Sequence, residues 1–289
     1  PKGVVNGHSQ LSNFLHSMSK QPGCGPDDRL LAVTTLSFDI SLLELFLPLW
    51  SGGSVILPDK DEATDGAALI RLMETHDATI MQGTPATFRL LLDAGWKGRQ
   101  NITALCGGEA LTPSFAEKLL PKLRSLWNMY GPTETTVWST ISPVTSADEI
   151  TIGKPIDQTS IHIMNEEGER CEIDVEGEIW IGGEGVALGY HARDQLTAER
   201  FLNDPFCEGQ RVYRTGDRGR MTAQGDIIHL GRLDNQLKIR GFRIEAGDIE
   251  AALLAHEDIE QAVCIIQEMG ADEKALVAYF TVEGLYAPT

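Results

Sequence analysis

Hydrophobic and polar positions follow two different periods along the first half of the chain. Over residues 42–50 (LLELFLPLW) apolar side chains recur at helical spacing, and Ser54–Leu57 (SVIL) reads as a short buried strand. Ala67–His76 places Leu69, Leu72 and Met73 on one helix face, and Ala78–Gln82 follows as a strand. Pro85 suits the first turn of the next helix, which passes through Leu90–Leu92 and stops at Gly95. A strand at Ile102–Cys106, a helix over Pro113–Leu123 and a strand at Ser125–Met129 come next. Strands alternating with helices of this length predict βαβ units and a mostly parallel sheet, hence an α/β fold.

The pattern then changes. From Thr151 to Gly231 short strands are expected at Ser160–Met164, Gly177–Ile181, Arg211–Arg214 and Asp226–Leu230. Turn residues at Asn165–Gly168, Gly182-Gly183 and Gln224-Gly225 separate them, which predicts a small β-rich subdomain or barrel. Beyond Asp234 the order is strand (Gln236–Ile239), helix (Ala246–His256), strand (Ala262–Gln267) and strand (Ala275–Val282), an α+β module. Three regions are expected, 1–150, 151–233 and 234–289, with Leu233–Asn235 as the hinge before the last.

Composition narrows the function classes. The chain has 289 residues, with 24 Lys and Arg against 42 Asp and Glu, a formal charge of −18. Nucleic-acid binding is not expected, because displacing counterions from a phosphate backbone needs a basic surface. No membrane span is expected, since the apolar run of residues 42–50 is broken by Glu44 and Pro48. Cys24, Cys106, Cys171, Cys207 and Cys264 are scattered singly, which fits a reducing, cytoplasmic setting rather than a disulfide framework. No HExxH spacing or Cys–His cluster points to zinc.

Candidate chemistry sits in two places. A Walker A loop is absent, and the glycine-rich stretch Gly182–Gly189 lacks dinucleotide spacing and a following βαβ unit, so it reads as a structural turn. Asn128–Thr136 (NMYGPTETT) places a ring, hydroxyls and one carboxylate directly after a predicted parallel strand. The carboxyl edge of such a sheet is where α/β proteins bind nucleotides. Hydroxyls can hold phosphate oxygens there, a lone carboxylate can hold a hydrated Mg²⁺, and a ring can stack on a base. Taken alone, the same string also suits a helix N-cap followed by a polar turn. Tyr213–Asp217 (YRTGD), with Gly231-Arg232-Leu233-Asp234 after it, offers an Asp beyond a Gly turn that can accept ribose hydroxyls. An isolated TGD reads first as a β-turn Asp capping its own loop.

Taken in order, Pro1–Val4, Ser37–Ser41 (SFDIS), Asn128–Thr136, Gly177–Phe201, Tyr213–Asp217 and Gly231–Glu250 closely resemble the core motifs of nonribosomal peptide synthetase adenylation domains. These belong to the adenylate-forming superfamily of acyl-CoA synthetases and luciferases. The resemblance implies that ATP and an amino acid give aminoacyl-AMP and pyrophosphate. The aminoacyl group then passes to the phosphopantetheine thiol of a carrier-protein domain within a larger synthetase. It assigns Thr133 to a phosphate contact, Glu134 to Mg²⁺, Tyr130 to stacking on adenine, and Asn128 to the adenine edge. It makes Gly108-Glu109-Ala110 the wall of the adenine site, with Gly131 in the phosphate turn. Asp217 becomes the ribose carboxylate, with Tyr213 and Arg232 beside the nucleotide. Asp234 becomes the hinge, and Gly241 part of the loop used in thioester formation. The first region then carries the amino-acid pocket and ATP site, the second the ribose motif, and the third the mobile part.

The same resemblance places the substrate pocket at Asp39, Ile40, Leu43, Gln82, Leu105, Gly107, Met129, Val137 and Trp138. Asp39 would pair with the substrate ammonium, an interaction whose loss should cost roughly 3–5 kcal/mol if the site is dry. Asp39 can also serve as a helix N-cap. Bulky Ile40, Leu43, Leu105, Met129 and Trp138 leave little room, so glycine is the expected substrate and alanine the next. One methyl is worth only ~1–3 kcal/mol of discrimination. The alternatives are an acyl- or aryl-CoA ligase, against which Asp39 and the Leu196–Phe201 string (LTAERF) speak, and a non-catalytic nucleotide-binding remnant.

The remnant reading rests on the chain ends. The family's phosphate loop would precede Pro1, and its catalytic Lys would lie beyond Val282, while Lys154, Lys238 and Lys274 match other motifs or none. A chain truncated at both ends, weakly active or inactive alone, is therefore expected.

Overall fold

The computed structural model describes residues 2–233, 236–239, 242–256, 258–270 and 273–282. The chain divides into two compact units, Pro1–Gly231 and Arg232–Thr289.

A seven-stranded sheet organises the first unit. Its strands are β1 (Arg29–Leu31), β2 (Ser54–Ile56), β3 (Ile80–Gly83), β4 (Arg99–Gly107), β5 (Leu123–Tyr130), β6 (Thr140–Val144) and β7 (Lys154–Pro155). They lie in the order β2-β1-β3-β4-β5-β6-β7. The first five strands run parallel, and β6 and β7 add antiparallel pairing at one edge. Helix α1 (His8–Met18) precedes the sheet, and four helices connect its parallel strands: α2 (Ser41–Ser51), α3 (Gly66–Thr75), α4 (Pro85–Asp93) and α5 (Pro113–Leu119).

Alternation along each strand sorts the core into two halves. Met81, Ala104 and Cys106 pack with Leu69, Phe88 and Phe115 of α3, α4 and α5. Ile80, Leu105 and Met129 pack with Phe14 of α1 and Leu43 and Leu47 of α2. Side-chain caps start the helices where the sequence supplies them: Asp65 accepts from the Ala67 and Ala68 amides, and Thr84 and Thr112 precede Pro85 and Pro113.

Several boundaries differ from the periodicity, each for a local reason. The helix expected to reach Leu123 ends at Leu119 and passes into a single 3₁₀ turn, Leu120–Lys122, because Pro121 has no N–H to continue the ladder. Strand β6 was hidden by Pro143, which lies beyond Thr140 and Ile141, the two residues paired with β7. Helix α1 carries few apolar residues and buries only Phe14, Leu15, Ser17 and Met18, so its pattern was weak.

The second sheet is antiparallel. Strands β8 (Thr159–Met164), β9 (Gly177–Gly183), β10 (Phe201–Asn203) and β11 (Arg211–Met221) lie in the order β10-β11-β9-β8, and β12 (Ile227–Arg232) pairs with β11. Helix α6 (Asp194–Arg200) precedes β10. Gly182 and Gly183 belong to β9, and the turn follows at Gly183–Val186, where the Val186 amide donates to the Gly183 carbonyl. The Tyr213–Asp217 motif is not a turn at a strand end. It lies inside the continuous β11, at a register shift opposite Glu178–Trp180. Gly216 takes φ +71° there, a conformation other residues rarely adopt, and the bulge re-aims Asp217.

In the second unit, β13 (Gln236–Ile239) pairs antiparallel with β14 (Phe242–Glu245). After α7 (Ala246–Leu254), β15 (Ile259–Gly270) and β16 (Glu273–Val282) form a long hairpin. Asp234 and Gly241 lie outside the described residues. Among the described residues no helix is long and apolar enough to cross a membrane.

Candidate active site

The carboxyl ends of β3, β4 and β5 bring Gln82, Gly107, Met129 and Tyr130 to one edge of the parallel sheet. Helix α2 approaches the same edge. Its first residues follow Asp39, which is half-buried, while Ile40 and Leu43 are buried on the inner face. Ile40 rather than Asp39 occupies the N-cap position.

A closed network lies beneath these residues. Gln82 is fully buried; its Nε2 donates to the Ile40 carbonyl (2.8 Å) and to Glu44 Oε1 (3.1 Å). Its Oε1 accepts from Trp138 Nε1 at 2.9 Å. Thr136 and Val137 take φ values of 63° and 69°, a conformation costly for a β-branched residue, just before Trp138. The Thr136 hydroxyl anchors this strained pair to the Gly185 carbonyl at 2.8 Å. A Cβ built on Gly107 would lie 2.6 Å from both the Met129 carbonyl oxygen and Trp138 Cη2. Only glycine lets the indole lie against β4, and Val137, Met129 and Leu105 are buried beside it.

Glu44 was not singled out from the sequence. It is fully buried, and it accepts from the Thr34 amide (2.9 Å) and the Thr34 hydroxyl (2.7 Å) besides Gln82. Burial raises its pKa from 4.5 to about 7, against these hydrogen bonds, which lower it.

The second cluster joins β5 and its following turn to the antiparallel sheet. Tyr130 donates to Asp217 Oδ2 at 2.6 Å, and His229 Nε2 lies 3.5 Å from Asp217 Oδ1. The Tyr130 and His229 rings tilt against each other at 5.5 Å. The Thr215 hydroxyl receives the Asp217 amide (2.9 Å) and donates to the Ile179 carbonyl (2.7 Å), which pins the bulge.

Glu134 lies in the single 3₁₀ turn Thr133–Thr135 and is buried. Tyr190 donates to Glu134 Oε1 at 2.7 Å, and the Tyr213 hydroxyl stands 3.2 Å from that of Tyr190. Burial first, and then the Glu134 charge, raise the Tyr190 pKa, so the phenol stays protonated and donates. Tyr190 lies within the Gly177–Phe201 motif but was assigned no role there, and Asn6 lies in none of the motifs. Asn6 donates to the Thr133 carbonyl at 3.1 Å. Both are far from Glu134 along the chain and have no local signal.

The remaining predicted residues have defined places. Asn128 is buried, and its amide donates to the Thr151 carbonyl at 2.8 Å. Gly108, Glu109 and Ala110 form the bend after β4, running from half-buried to exposed. Gly131 and Thr133 are half-buried after β5, and Arg232, also half-buried, ends β12.

Among the described residues no group of three or more His, Cys, Asp and Glu could hold a metal. With a single carboxylate, Glu134, the turn would suit a Mg²⁺ that keeps most of its ligands from outside the protein, and not a protein cage.

The AMP-binding enzyme family matches residues 1–191. The chain belongs to that family. A dimodular nonribosomal peptide synthase of Bacillus subtilis is 43% identical over 286 residues, covering 98% of this chain and 12% of that protein. A crystal structure of a holo four-domain nonribosomal peptide synthetase bound to AMP and glycine is 44% identical with a TM-score of 0.79. That match covers 99% of this chain and 22% of the other. A holo nonribosomal peptide synthetase protein with adenylation and peptidyl carrier domains, bound to a vinylsulfonamide inhibitor, is 31% identical with a TM-score of 0.83. It is matched over 90% of this chain and 46% of its own. The chain thus spans well under two thirds of each relative, and the fold class of this family member is that of an adenylation domain.

Proposed function

We propose that this chain is the amino-acid-selecting and nucleotide-binding part of an adenylation domain that activates glycine and loads it onto a carrier-protein phosphopantetheine thiol. The observation that carries the reading is the buried packing around Trp138. Trp138 lies against Gly107, is tied to Gln82, and is surrounded by Leu105, Met129 and Val137. We take the bulk of these buried side chains to leave room for a substrate backbone and little more.

Each side of the site has a role. Asp39 receives the substrate ammonium at the rim. Tyr130, Asn128 and the Gly108–Ala110 bend flank adenine, Asp217 accepts ribose hydroxyls, and Thr133 and Gly131 meet phosphate. Attack of a carboxylate on an α-phosphate gathers negative charge, and Mg²⁺ held at Glu134 would offset it when bound. The −18 charge of the chain makes such local donors necessary. Asp234 would serve as the hinge between half-reactions. Free cysteines at all five positions agree with a cytoplasmic setting.

Amino-acid-dependent ATP–pyrophosphate exchange by the complete protein tests this reading. Exchange strongest with glycine and weaker with alanine is expected. A preference for a large or charged amino acid overturns the glycine assignment. Thioester formation on coenzyme A from an acid lacking an amine would favour the ligase alternative.

A further inference from the structure

Helix α2 presents Ile40, Leu43, Glu44 and Leu47 at helical spacing, and all four are buried. Three are aliphatic; Glu44 is the exception. A buried carboxyl without a cation partner is costly. Its neighbours are hydrogen-bond donors, Thr34, Gln82 and the Val33 backbone, and among the described residues no cation contributes to its environment. Such a residue needs a reason to be there.

The reason lies in the Gln82 amide. An amide can turn over by half a rotation and exchange its donor and acceptor ends. Here three partners agree on one orientation. The Ile40 carbonyl and Glu44 Oε1 both require the NH₂ end, and the Trp138 N–H requires the oxygen end. The orientation of Gln82 in turn holds the indole against Gly107. Glu44 is two hydrogen bonds from the Trp138 indole.

We infer that Glu44 is a specificity-determining positioning residue: through Gln82 it locks Trp138 over Gly107, and so sets how large an amino-acid side chain the pocket admits. The inference rests on the adenylation reading for its substrate, but not for its structural consequence.

The test compares wild type, Glu44→Leu, Glu44→Gln and Trp138→Phe in the complete protein. The readout is the ratio of kcat/KM for alanine to that for glycine in pyrophosphate exchange. A ratio is insensitive to the fraction of folded enzyme. E44L should raise it roughly tenfold, a change of the size one methyl commands. E44Q, which keeps an acceptor for Gln82, should restore most of the wild-type ratio. An E44L ratio equal to wild type, with both activities merely reduced, overturns the inference. If W138F moves the ratio and E44L does not, the pocket reading stands and the role of Glu44 falls. Should E44L fail to fold, Thr34→Val removes one donor to Glu44 and should shift the ratio the same way, by less; an unchanged ratio counts against the inference.

A second measurement needs no activity. The indole N–H of Trp138, assigned by its loss in W138F, should exchange with solvent faster in E44L or T34V than in wild type. Unchanged protection overturns the inference whichever amino acid is activated. Absence of glycine-dependent exchange in the wild type instead overturns the adenylation reading and leaves this measurement to decide on Glu44.

Discussion

The two halves of the site are built on opposite principles. On the side proposed to bind the amino acid, polar groups bond to one another: half-buried Thr34 and buried Glu44, Gln82, the Ile40 carbonyl and Trp138 form one hydrogen-bonded chain. On the side proposed to bind nucleotide, phenols donate to carboxylates, Tyr190 to Glu134 and Tyr130 to Asp217. Selection of a small side chain needs a rigid wall, because dispersion and volume discriminate only when the wall cannot yield. Binding of a polyanion and its cation needs aimed charges, because electrostatic stabilisation depends on donors and acceptors already in place.

If the halves are separable in this way, changes in one should leave the other's readout still. The largest effect is expected for Asp39→Ala. With Asp39 half-buried, the loss belongs at the lower end of the range for a desolvated pair, about 3 kcal/mol, or about a hundredfold in kcat/KM for glycine. Nucleotide affinity, followed by calorimetry with AMP, should not move; a parallel loss would show that the two sides act as one.

Next comes the pH response of Glu44. Its folded pKa of about 7 lies above the ordinary 4.5, so the folded protein holds this proton more tightly than the unfolded chain. The resulting stabilisation is complete below the unfolded pKa and is lost as pH rises through the folded one. On the order of 3 kcal/mol should therefore disappear across that window. Urea denaturation of wild type against E44Q should give a stability difference that changes across those pH values. A difference independent of pH would mean that Glu44 stays ionised in the folded protein.

The smallest effect is expected for Tyr190→Phe. Removing a hydrogen bond to a charged group costs roughly 1.5–3 kcal/mol, less where other donors remain, so Mg²⁺-dependent ATP affinity should weaken about tenfold. Titration calorimetry at several Mg²⁺ concentrations reads this directly. The alanine-to-glycine ratio should stay at its wild-type value; a shift in it would join Glu134 to the pocket wall.

Much of this was legible from residue order. Periodicities of strand and helix located β2 to β5, α2 to α4 and most strands of the second sheet. These are the places where apolar spacing, Pro at a first turn and Gly after a helix agree. The family motifs, each continuous in the chain, brought attention to Asp39, Glu134, Tyr130 and Asp217. The strand containing Pro143, the early helix end before Pro121 and the bulge at Gly216 were not legible. In each, neighbouring strands or a missing N–H decided the outcome against local pattern.

What the sequence determined by itself, then, was the alternation that makes a parallel sheet and the residue types collected at its carboxyl edge. Both depend on neighbours a few positions apart. What only tertiary structure decided was how those residues are held. Tyr130 meets Asp217 and Glu134 meets Tyr190 across separations of 87 and 56 residues, and Glu44 reaches Trp138 only by way of Gln82. A buried polar group must find its partner wherever packing brings one within reach, and no spacing along the chain encodes that distance.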